Sequence, residues 1–492
     1  LLAVQISSWW YPTPDACGYV SIARSLAQGG PATNLGSAQL WYSPGYPLLL
    51  APLFWLSERP FLLISILHWL LATGFLLGCY RWVRQVTPEA AVVVSGLAVV
   101  NLGVWVHFRR PLSEIAFMCV AIWGATWLST LRQQTLAGQP RMRTALAAGL
   151  LIAAACLIRH AGFALACGFG LAALCDLLQR RVPWVRTGWT LAVITLPAVV
   201  ALASVMHYEA QTAARLQAGT YLSRVDDPGL SFGDQLLEGI RLRISDTGQV
   251  LLPFMFKSYA DDFEWLDINI VIYVLFAALL AWGWWRVVRR TRDILALAFP
   301  FYMALYVTWA MQAGGRFLVP LIGLLMVCLW EALGRFAPQR ATIFAGLLVA
   351  HTIAAVGYWV GVELPRGRDV ARTWPAAERL ALKVRDRADR GVILACPEST
   401  QYLLEFLLDR RVPIARPTAD VDPAADPNKA SRPLTEAEWV VAPTKLQVPA
   451  GFEVAATTDG YALWTRTGSG SSPAEVIGAR SAVPDSDAPG PR

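Results

Sequence analysis

Residues 60–80 read PFLLISILHWLLATGFLLGCY, an apolar stretch without one acidic, lysine or arginine side chain. A helix needs about 20 such residues to cross the hydrocarbon core of a bilayer. Arg81 follows this stretch directly, and Arg84 follows one turn later. Because arginine is enriched in the cytoplasmic loops of membrane proteins, the segment predicts a spanning helix that runs from outside to inside.

The whole chain has the composition of a membrane protein. Of its 492 residues, 55% are hydrophobic and only 16% are charged, whereas about 25% are charged in an ordinary soluble domain. The net charge of +7 comes from arginines in short clusters between apolar runs, which argues against a basic groove for nucleic acid. The eight cysteines show no spacing typical of a zinc site or a disulfide framework.

Further apolar stretches predict additional spanning helices. They lie at residues 88–106, 113–131, 143–158, 162–179, 187–207, 267–288, 294–311, 317–334 and 341–361. The short apolar run at residues 1–4 is interpreted as the remnant of a truncated first span, with a cleaved signal peptide as the rival explanation. The sequence therefore predicts about eleven transmembrane helices, the first of them truncated.

The orientation of the bundle depends on residues 45–57, GYPLLLAPLFWLS. This run is too short to span and contains Pro47 and Pro52, so it predicts a juxtamembrane or re-entrant helix on the outer side. With that choice, the cytoplasmic loops contain Arg81, Arg84, Arg132, Arg141, Arg143, Arg180, Arg181, Arg186, Arg286, Arg289, Arg290, Arg292, Arg335 and Arg340. This distribution satisfies the positive-inside rule.

The chain is predicted to have three parts. Residues 1–361 form an all-α polytopic membrane bundle, with external loops at 7–59 and 208–266 and juxtamembrane helices in the first loop. Residues 366–467 lack long apolar runs and contain short strand-like segments, which predicts a small α/β extracytoplasmic domain. Residues 468–492 are rich in Gly, Ser, Pro and Asp and predict a disordered tail.

Four polar segments lie at the predicted outer ends of the bundle. They contain Asp15 and Tyr19, Arg110 and Glu114, Arg159 and His160, and Arg316. Ionisable residues at such positions in membrane proteins are functional candidates by default. Simpler explanations remain open, namely a helix cap for the first acid, a favourable helix dipole for the second, and headgroup contacts for the arginines. Because all four segments are expected on one side, a shared polar cavity is favoured.

Such a cavity suits group transfer from a lipid phosphate. A carboxylate can accept the proton of an acceptor hydroxyl or amine. Guanidinium groups can bind a phosphate bidentately and stabilise the charge that grows on it as it departs. Alternatively, Asp15 and Glu114 could hold a divalent cation, which leaves the metal dependence open.

These segments resemble those of the GT-C superfamily of membrane glycosyltransferases, in the branch of the protein O-mannosyltransferases and the aminoarabinose transferases that modify lipid A. The resemblance covers most of residues 1–361. It rests on Asp15-x-x-x-Tyr19, WYSPGYPLLL at 41–50, Ser113-Glu114, LIRHAG at 157–162 and GRFLVP at 315–320. The chain departs from the family pattern at Ala16, where many members have Glu, and at Ser43, where Pro is frequent.

The resemblance implies an inverting transfer of a hexosyl or pentosyl group from a polyprenyl-phosphate donor to a lipid, glycan or protein acceptor. The site would lie on the extracytoplasmic face of a bacterial inner membrane. Asp15 would be the general base, and Glu114 would orient the acceptor or hold a cation. The implied donor-phosphate ligands are Arg159, Arg316 and Arg110, and the implied substrate-lining residues are Tyr19, Tyr42, Tyr46 and His160. For Tyr42 and Tyr46, anchoring at the membrane interface is the alternative role.

Two other functions fit the same composition. A lipid or glycan transporter, or a flippase, also has many helices and a polar cavity, but it typically shows internal repeats and charges in the middle of broken helices. In this chain the charges cluster at the ends of spans and no repeat is evident. A non-catalytic membrane scaffold is the second alternative, and an intact Asp15 and Glu114 argue against it.

Overall fold

The computed structural model describes residues 2–10, 13–34, 37–38, 42–216, 232–251, 266–308, 314–368, 393–395, 414–416, 431–433, 439–443, 451–458 and 461–467. The predicted tail at 468–492 and much of the predicted loop 208–266 lie outside the described residues. The chain divides into two compact units. The first comprises Leu1–Tyr11 and Gly18–Leu364, and the second comprises Pro12–Cys17 and Pro365–Arg492.

The chain up to residue 358 is dominated by α-helices. In chain order they are α1 (Pro14–Ala27), α2 (Gly45–Leu56), α3 (Phe61–Val86), α4 (Ala91–Val100), α5 (Leu102–Phe108), α6 (Ser113–Leu136), α7 (Met142–Ile158), α8 (Phe163–Leu178), α9 (Trp184–Leu216), α10 (Phe232–Leu251), α11 (Leu266–Thr291), α12 (Ile294–Val307), α13 (Ile322–Ala332) and α14 (Ala337–Tyr358). A two-residue hairpin, β1 (Thr33–Asn34) with β2 (Ser37–Ala38), follows α1. A 3₁₀ turn at Leu2–Gln5 occupies the position of the predicted truncated span.

Every other predicted span coincides with an apolar helix. Within the described residues, seven helices are long and apolar enough to cross a membrane, and the pair α4–α5, bent by 46°, is an eighth candidate. The two remaining predicted spans, α7 and α12, have 17 and 14 residues. The run at 45–57 forms the short helix α2. The prediction of a polytopic helical membrane protein is therefore confirmed.

Two helices form the centre of the bundle. In the most apolar stretch of α6, 72% of the residues are buried inside the protein, and in the span Gly315–Ala332, which ends with α13, the buried share is 89%. In the other spans this share is only 17–39%. Spans that expose most of their apolar surface are suited to contact lipid, because in a bilayer the hydrophobic face points outward. The first turn of this central helix, α6, contains Ser113 and Glu114. Glu114 therefore lies at one end of the bundle and is surrounded by other helices.

The bend between α4 and α5 has a local cause. The side chain of Asn101 accepts a hydrogen bond from the Gly103 N–H (3.0 Å) and so caps α5. Its amide also donates to the Val250 carbonyl (2.8 Å), which ties the bend to the end of α10. Asn101 is fully buried, and α5 directs the chain into the loop that precedes Glu114.

The opposite end of the bundle is held by buried ion pairs. Arg132 of α6 donates two hydrogen bonds to Asp176 of α8 (2.7 and 2.9 Å) and a third to the Arg292 carbonyl (2.8 Å). Asp293 caps α12 through the Leu295 N–H (2.9 Å). Since buried charges are stable only when paired, these contacts fix the relative positions of α6, α8 and α12.

The second unit contains a six-stranded mixed sheet. Its strands are β3 (Ile393–Ala395), β4 (Ile414–Arg416), β5 (Ser431–Pro433), β6 (Trp439–Pro443), β7 (Phe452–Thr458) and β8 (Tyr461–Arg466), in the order β5-β4-β3-β6-β8-β7. The first three pairs in this order are parallel and the last two antiparallel. Parallel neighbours need crossover connections, which is the arrangement of a small α/β domain. The helix predicted near residues 400–408 lies outside the described residues.

We predict that Gly283→Ala destabilises the bundle. A Cβ atom at this position of α11 would collide with the backbone carbonyl of Cys328 in α13. Overpacking of a tight contact costs about 1–3 kcal/mol, so the midpoint of thermal unfolding of the purified protein in detergent should fall.

Gly346→Ala in α14 is the matched control, because nothing lies within 4 Å of a Cβ atom there. Alanine favours a helix over glycine by about 1 kcal/mol, so this variant should melt at the wild-type temperature or slightly above. Equal melting of the wild type and Gly283→Ala would contradict the close approach of α11 and α13.

Candidate active site

The centre of the candidate site is the carboxylate of Glu114. This side chain is fully buried, and one of its oxygens, Oε1, accepts hydrogen bonds from two arginines. Arg159 donates through Nη1 (2.8 Å) and Arg316 donates through Nε. The three residues come from the first turn of α6, the end of α7 and the turn Gly314–Phe317. The structure thus brings together three of the residues that the sequence predicts for the site.

Arg159 is positioned by the tight junction between α7 and α8. It ends α7 in an extended conformation (φ −153°, ψ 135°). The 3₁₀ turn His160–Gly162 then packs so closely on α7 that a Cβ atom at Gly162 would collide with the Ala155 backbone. The glycine in the sequence RHAG therefore permits the turn that presents the Arg159 guanidinium to Glu114.

The ring of Phe317 supports both guanidinium groups. The Arg159 Cζ lies 4.6 Å from the ring centroid and the Arg316 Cζ lies 6.0 Å from it, which are cation–π distances. The Tyr302 hydroxyl of α12 donates a hydrogen bond to the Phe317 carbonyl and so holds this turn. Neither residue was predicted as a functional candidate. Phe317 lies in the quoted segment GRFLVP, where only Arg316 was singled out, and nothing in the local sequence distinguishes Tyr302 from an ordinary core aromatic.

Ser113 links this ion cluster to α1. Its hydroxyl lies 3.1 Å from the Tyr19 hydroxyl and accepts a weaker hydrogen bond from Arg159 Nη1 (3.4 Å). Tyr19 is buried. The predicted substrate-lining residue Tyr19, on α1, therefore lies beside the arginine-bound carboxylate.

Tyr19 is also the centre of an aromatic group. The centroid of its ring lies 4.7 Å from that of Tyr42 and 5.1 Å from that of Tyr46. The Tyr46 hydroxyl bonds to His68 Nε2 (2.7 Å), and His68 Nδ1 donates to the Phe108 carbonyl (2.7 Å), so Nε2 is the acceptor of the phenol proton. Tyr46 is fully buried, and burial raises its pKa. Full burial distinguishes Tyr46 from an aromatic anchor at the membrane interface.

The departure from the family pattern at Ser43 has a structural consequence. Its hydroxyl lies 3.1 Å from His160 Nδ1, a contact that a proline at this position would lack. The predicted residue His160 is therefore joined to the segment before α2, while its neighbour Arg159 contacts Glu114.

The remaining predicted residues are Asp15 and Arg110. Arg110 lies in the loop between α5 and α6 and is partly exposed. Asp15 lies in the first turn of α1, four residues before Tyr19, and is half-buried. It is counted with the second compact unit, so its predicted proximity to Glu114 stays a prediction.

The charges in the cluster are unequal. Among the three residues Glu114, Arg159 and Arg316, two guanidinium groups share one carboxylate, so these three side chains together have a formal charge of +1. Burial by itself lowers the pKa of Arg159, but the adjacent carboxylate of Glu114 more than offsets this effect, and the pKa lies above the ordinary arginine value. Both arginine side chains retain some exposure, 14% and 17%. The cluster is therefore suited to bind an anion.

The same donor set does not fit a divalent cation. The one carboxylate of the cluster is already engaged by two guanidinium groups, and a cation would have to displace them. Within the described part of the chain, no group of three His, Cys, Asp or Glu side chains is arranged to hold a metal ion. The predicted metal-holding role of Glu114 receives no support from this geometry.

Polar atoms without a hydrogen bond also occur in the cluster. Among the described residues, Glu114 Oε2 and both ring nitrogens of His107 are buried without a hydrogen-bond partner. His107 belongs to α5 and is 2% exposed. Such unpaired buried polar groups are costly and uncommon in folded proteins.

Two solved structures of one protein have the same fold as this chain. ArnT from Cupriavidus metallidurans bound to undecaprenyl phosphate superposes with a TM-score of 0.52 at 13% identity, covering 95% of this chain and 96% of ArnT. ArnT in the apo state gives 0.51 at 14% identity, covering 94% and 95%. The chain therefore shares the fold of ArnT over nearly the whole of both chains. The archaeal oligosaccharyltransferase AglB from Archaeoglobus fulgidus gives 0.49 at 12% identity, covering 88% of this chain and 66% of AglB.

No family model and no curated protein matches the sequence. At these identities the superpositions establish the fold, and the fold alone does not establish an activity. The predicted resemblance to the GT-C superfamily is confirmed at this level.

We predict that Glu114→Gln strongly lowers the stability of the purified protein. Removal of one partner from a buried ion pair leaves an uncompensated charge and costs about 3–5 kcal/mol. In Glu114→Gln two arginines would remain at the site without their carboxylate. The midpoint of thermal unfolding in detergent, followed by size-exclusion chromatography, measures the loss.

Glu89→Gln is the matched control, since Glu89 also faces an arginine, Arg340, but is 48% exposed and 3.9 Å from it. Exposed ion pairs contribute about 0–1 kcal/mol, so this variant should unfold like the wild type. Similar stability losses in Glu114→Gln and Glu89→Gln would show that the buried cluster is not formed.

Proposed function

We propose that this chain is an integral membrane glycosyltransferase that transfers a sugar from a polyprenyl-phosphate donor to an acceptor on the extracytoplasmic face. The observation that carries the proposal is the pair Arg159 and Arg316 on the buried carboxylate of Glu114, within a fold shared with ArnT. The ArnT structure contains undecaprenyl phosphate. A site with excess positive charge beside spanning helices is suited to the phosphate of such a lipid.

The charge balance of the cluster matches the charge change of the reaction. A polyprenyl-phosphate sugar is a phosphodiester with one negative charge, and its product, polyprenyl phosphate, gains a second ionisable oxygen. Stabilisation that increases as charge develops lowers the barrier, because it favours the transition state over the bound substrate. The excess positive charge of Arg159 and Arg316 would supply this stabilisation, and Arg110 is the third candidate ligand of the phosphate.

The proposed chemical step is a direct displacement at the anomeric carbon. The oxygen or nitrogen of the acceptor forms the new bond to this carbon as its proton passes to the carboxylate of Asp15. The bond from carbon to the phosphate oxygen breaks with its electron pair, and the configuration inverts. Asp15 lies in the first turn of α1, one helical turn before Tyr19. In this scheme it is the general base.

In this proposal Glu114 has a role in addition to the orientation of the acceptor that the family resemblance implies. With Oε1 bound to both arginines, it would hold the guanidinium groups at a fixed separation before the donor arrives. Such preorganisation avoids reorientation of the charges during the reaction. Its second oxygen, Oε2, is the atom through which it would orient an acceptor hydroxyl.

The proposed sidedness follows from the arginine distribution. The ends of α3, α6, α8 and α11 that lie away from Glu114 carry arginine clusters, as cytoplasmic ends do. Glu114, Arg159 and Arg316 precede spans whose opposite ends are the basic ones. This pattern supports a site on the extracytoplasmic side, and we propose that the membrane is a bacterial inner membrane.

The direct test is incubation of the purified protein with a panel of polyprenyl-phosphate sugars and with envelope fractions as acceptors. Consumption of one donor with transfer of its sugar to an acceptor is the expected result. Movement of intact donor across vesicles without bond cleavage would instead support a transporter. If every donor remains intact under all acceptor conditions, the proposal is wrong.

Asp15→Asn is expected to abolish sugar transfer while expression and melting temperature stay at wild-type values. The amide has the size of the acid but cannot accept the proton. Asp234→Asn is the matched control, because Asp234 is also an acid in the first turn of a helix, α10, and it should retain full activity. Wild-type turnover in Asp15→Asn would end the proposed role of this residue.

Arg316→Ala is expected to impair use of the donor more than use of the acceptor. Loss of a charge-assisted contact to phosphate should raise the donor KM by about tenfold or more, with a smaller change in the acceptor KM. Arg84→Ala, at the end of α3, removes an equal charge from the opposite end of the bundle and should change neither constant. Equal increases in both KM values for Arg316→Ala would contradict the assignment to the donor phosphate.

A further inference from the structure

A second buried polar cluster lies between α10 and α12. Arg243 and Asp246 of α10 and Tyr306 of α12 are 2%, 4% and 4% exposed. Arg243 Nη1 and the Tyr306 hydroxyl both donate to Asp246 Oδ2, at 2.9 and 2.8 Å. The Arg243 guanidinium also lies over the Tyr306 ring, 3.9 Å from its centroid, and its Nε donates to the Tyr306 carbonyl (3.2 Å).

The α10 helix that carries two of these residues is anchored to the bundle. The Asn101 amide donates to the Val250 carbonyl (2.8 Å), and His351 Nε2 lies 3.0 Å from the Leu251 carbonyl. A Cβ atom at Gly239 would collide with the carbonyl of Val307. Contacts to the α4–α5 bend, to α12 and to α14 therefore fix α10 along its length.

The cluster reaches the candidate site through two aromatic rings. The ring of Tyr306 meets that of Phe317 edge to face, with centroids 5.1 Å apart and an interplanar angle of 86°. Arg159 lies over the same Phe317 ring. A Cβ atom at Gly315 would meet Val250 of α10, so the turn that carries Arg316 packs directly on this helix.

The charges within the cluster are balanced. Burial raises the pKa of Asp246, and the hydrogen bonds from Arg243 and Tyr306 oppose this shift by stabilising the carboxylate. One guanidinium and one carboxylate leave no net charge, in contrast to the excess positive charge at Glu114. The cluster thus has the character of a support, not of an anion-binding site.

We propose that Arg243, Asp246 and Tyr306 are positioning residues that hold Phe317, and through it Arg159 and Arg316, in the geometry that binds the donor phosphate. The proposal rests on the proposed function and deepens it. It gives α10 an indirect role in donor binding. Catalytic and binding groups require such support, because small losses of geometry greatly weaken a preorganised site.

The test uses Tyr306→Phe, which keeps the ring on Phe317 and removes only the hydroxyl that Asp246 holds. The probe is undecaprenyl phosphate, and its Kd for the purified full chain is measured by ligand-dependent fluorescence quenching in detergent. We expect the Kd to rise about fivefold, less than the full effect of a lost hydrogen bond to a charged group, since the influence is indirect. In transfer assays the donor KM should rise by a similar factor while the acceptor KM is unchanged.

Tyr358→Phe is the matched control. The hydroxyl of Tyr358, the last residue of α14, donates to a carboxylate oxygen of Glu363 (2.8 Å) in the π-helical turn Trp359–Glu363. The same chemical group is thus removed from the same kind of bond at another place. This variant should bind undecaprenyl phosphate with the wild-type Kd. Melting temperatures of both variants would show whether a difference in binding reflects a difference in folding.

Asp246→Ala and the double variant Asp246→Ala with Tyr306→Phe complete a thermodynamic cycle, because alanine removes the acceptor of the Tyr306 hydroxyl, whereas the amide oxygen of asparagine would keep it. If the two residues act through their shared hydrogen bond, the double variant should bind no more weakly than Asp246→Ala alone. Should Asp246→Ala not fold, Tyr306→Phe alone decides the question.

The outcomes separate the inference from the function on which it rests. A wild-type protein that neither binds undecaprenyl phosphate nor uses any polyprenyl-phosphate sugar would overturn the proposed function. A wild type that binds and transfers, with a folded Tyr306→Phe variant of unchanged Kd and donor KM, would overturn the positioning role alone.

Discussion

The site depends on one buried carboxylate that two distant arginines share. Glu114 is removed from water, and an ionised carboxylate in that position is stable only if opposite charges and hydrogen bonds replace its hydration. Arg159 and Arg316 provide both. Because the first ends α7 and the second precedes α13, the ion cluster requires three parts of the bundle to meet at one point. Any packing that separated them would leave charges unpaired inside the protein.

Around this cluster the protein uses aromatic rings to limit movement. Phe317 supports the two guanidinium groups, and Tyr302 and Tyr306 hold Phe317 from α12. Tyr19 and Ser113 join the cluster to the helix that contains Asp15. Aromatic side chains suit this purpose because they bury a large area with few rotatable bonds. The arginines are thus held by packing as well as by charge, and they keep the partial exposure that an anionic ligand requires.

The two polar clusters of the bundle differ in a way that corresponds to their proposed roles. The cluster at Glu114 has one positive charge in excess and unpaired polar atoms at Glu114 Oε2 and His107. The cluster at Asp246 is electrically balanced, and its carboxylate is bonded to both neighbours. An excess charge attracts a phosphate, whereas a balanced pair contributes order without attracting an ion. In the proposed function the first cluster is the phosphate site and the second is its support, within a fold shared with ArnT.

The sequence by itself determined the helices and their environment. Runs such as 60–80 and 113–131 are too apolar and too long for any solvent but lipid, and the arginines at their ends predict which side faces the cytoplasm. The short, proline-containing run at 45–57 could be separated from the spans for the same reason. Local sequence also identified Glu114, Arg159 and Arg316 as functional candidates, because they are ionisable residues at the ends of apolar spans.

Only the tertiary structure decided which of these charges meet. Arg159 and Arg316 lie 45 and 202 positions after Glu114 in the chain, yet both bind the same oxygen of its carboxylate. Hydrophobic periodicity contains no information about pairing at such separations. The same limit explains why Tyr302, Tyr306 and Phe317 were not recognised, since their roles lie in contacts between α10, α12 and the turn before α13. The sequence had suggested that Asp15 and Glu114 could form a cation site. That two arginines bind Glu114 instead could not be predicted, for the same reason. Helix formation follows from local composition, whereas charge pairing follows from how the helices pack.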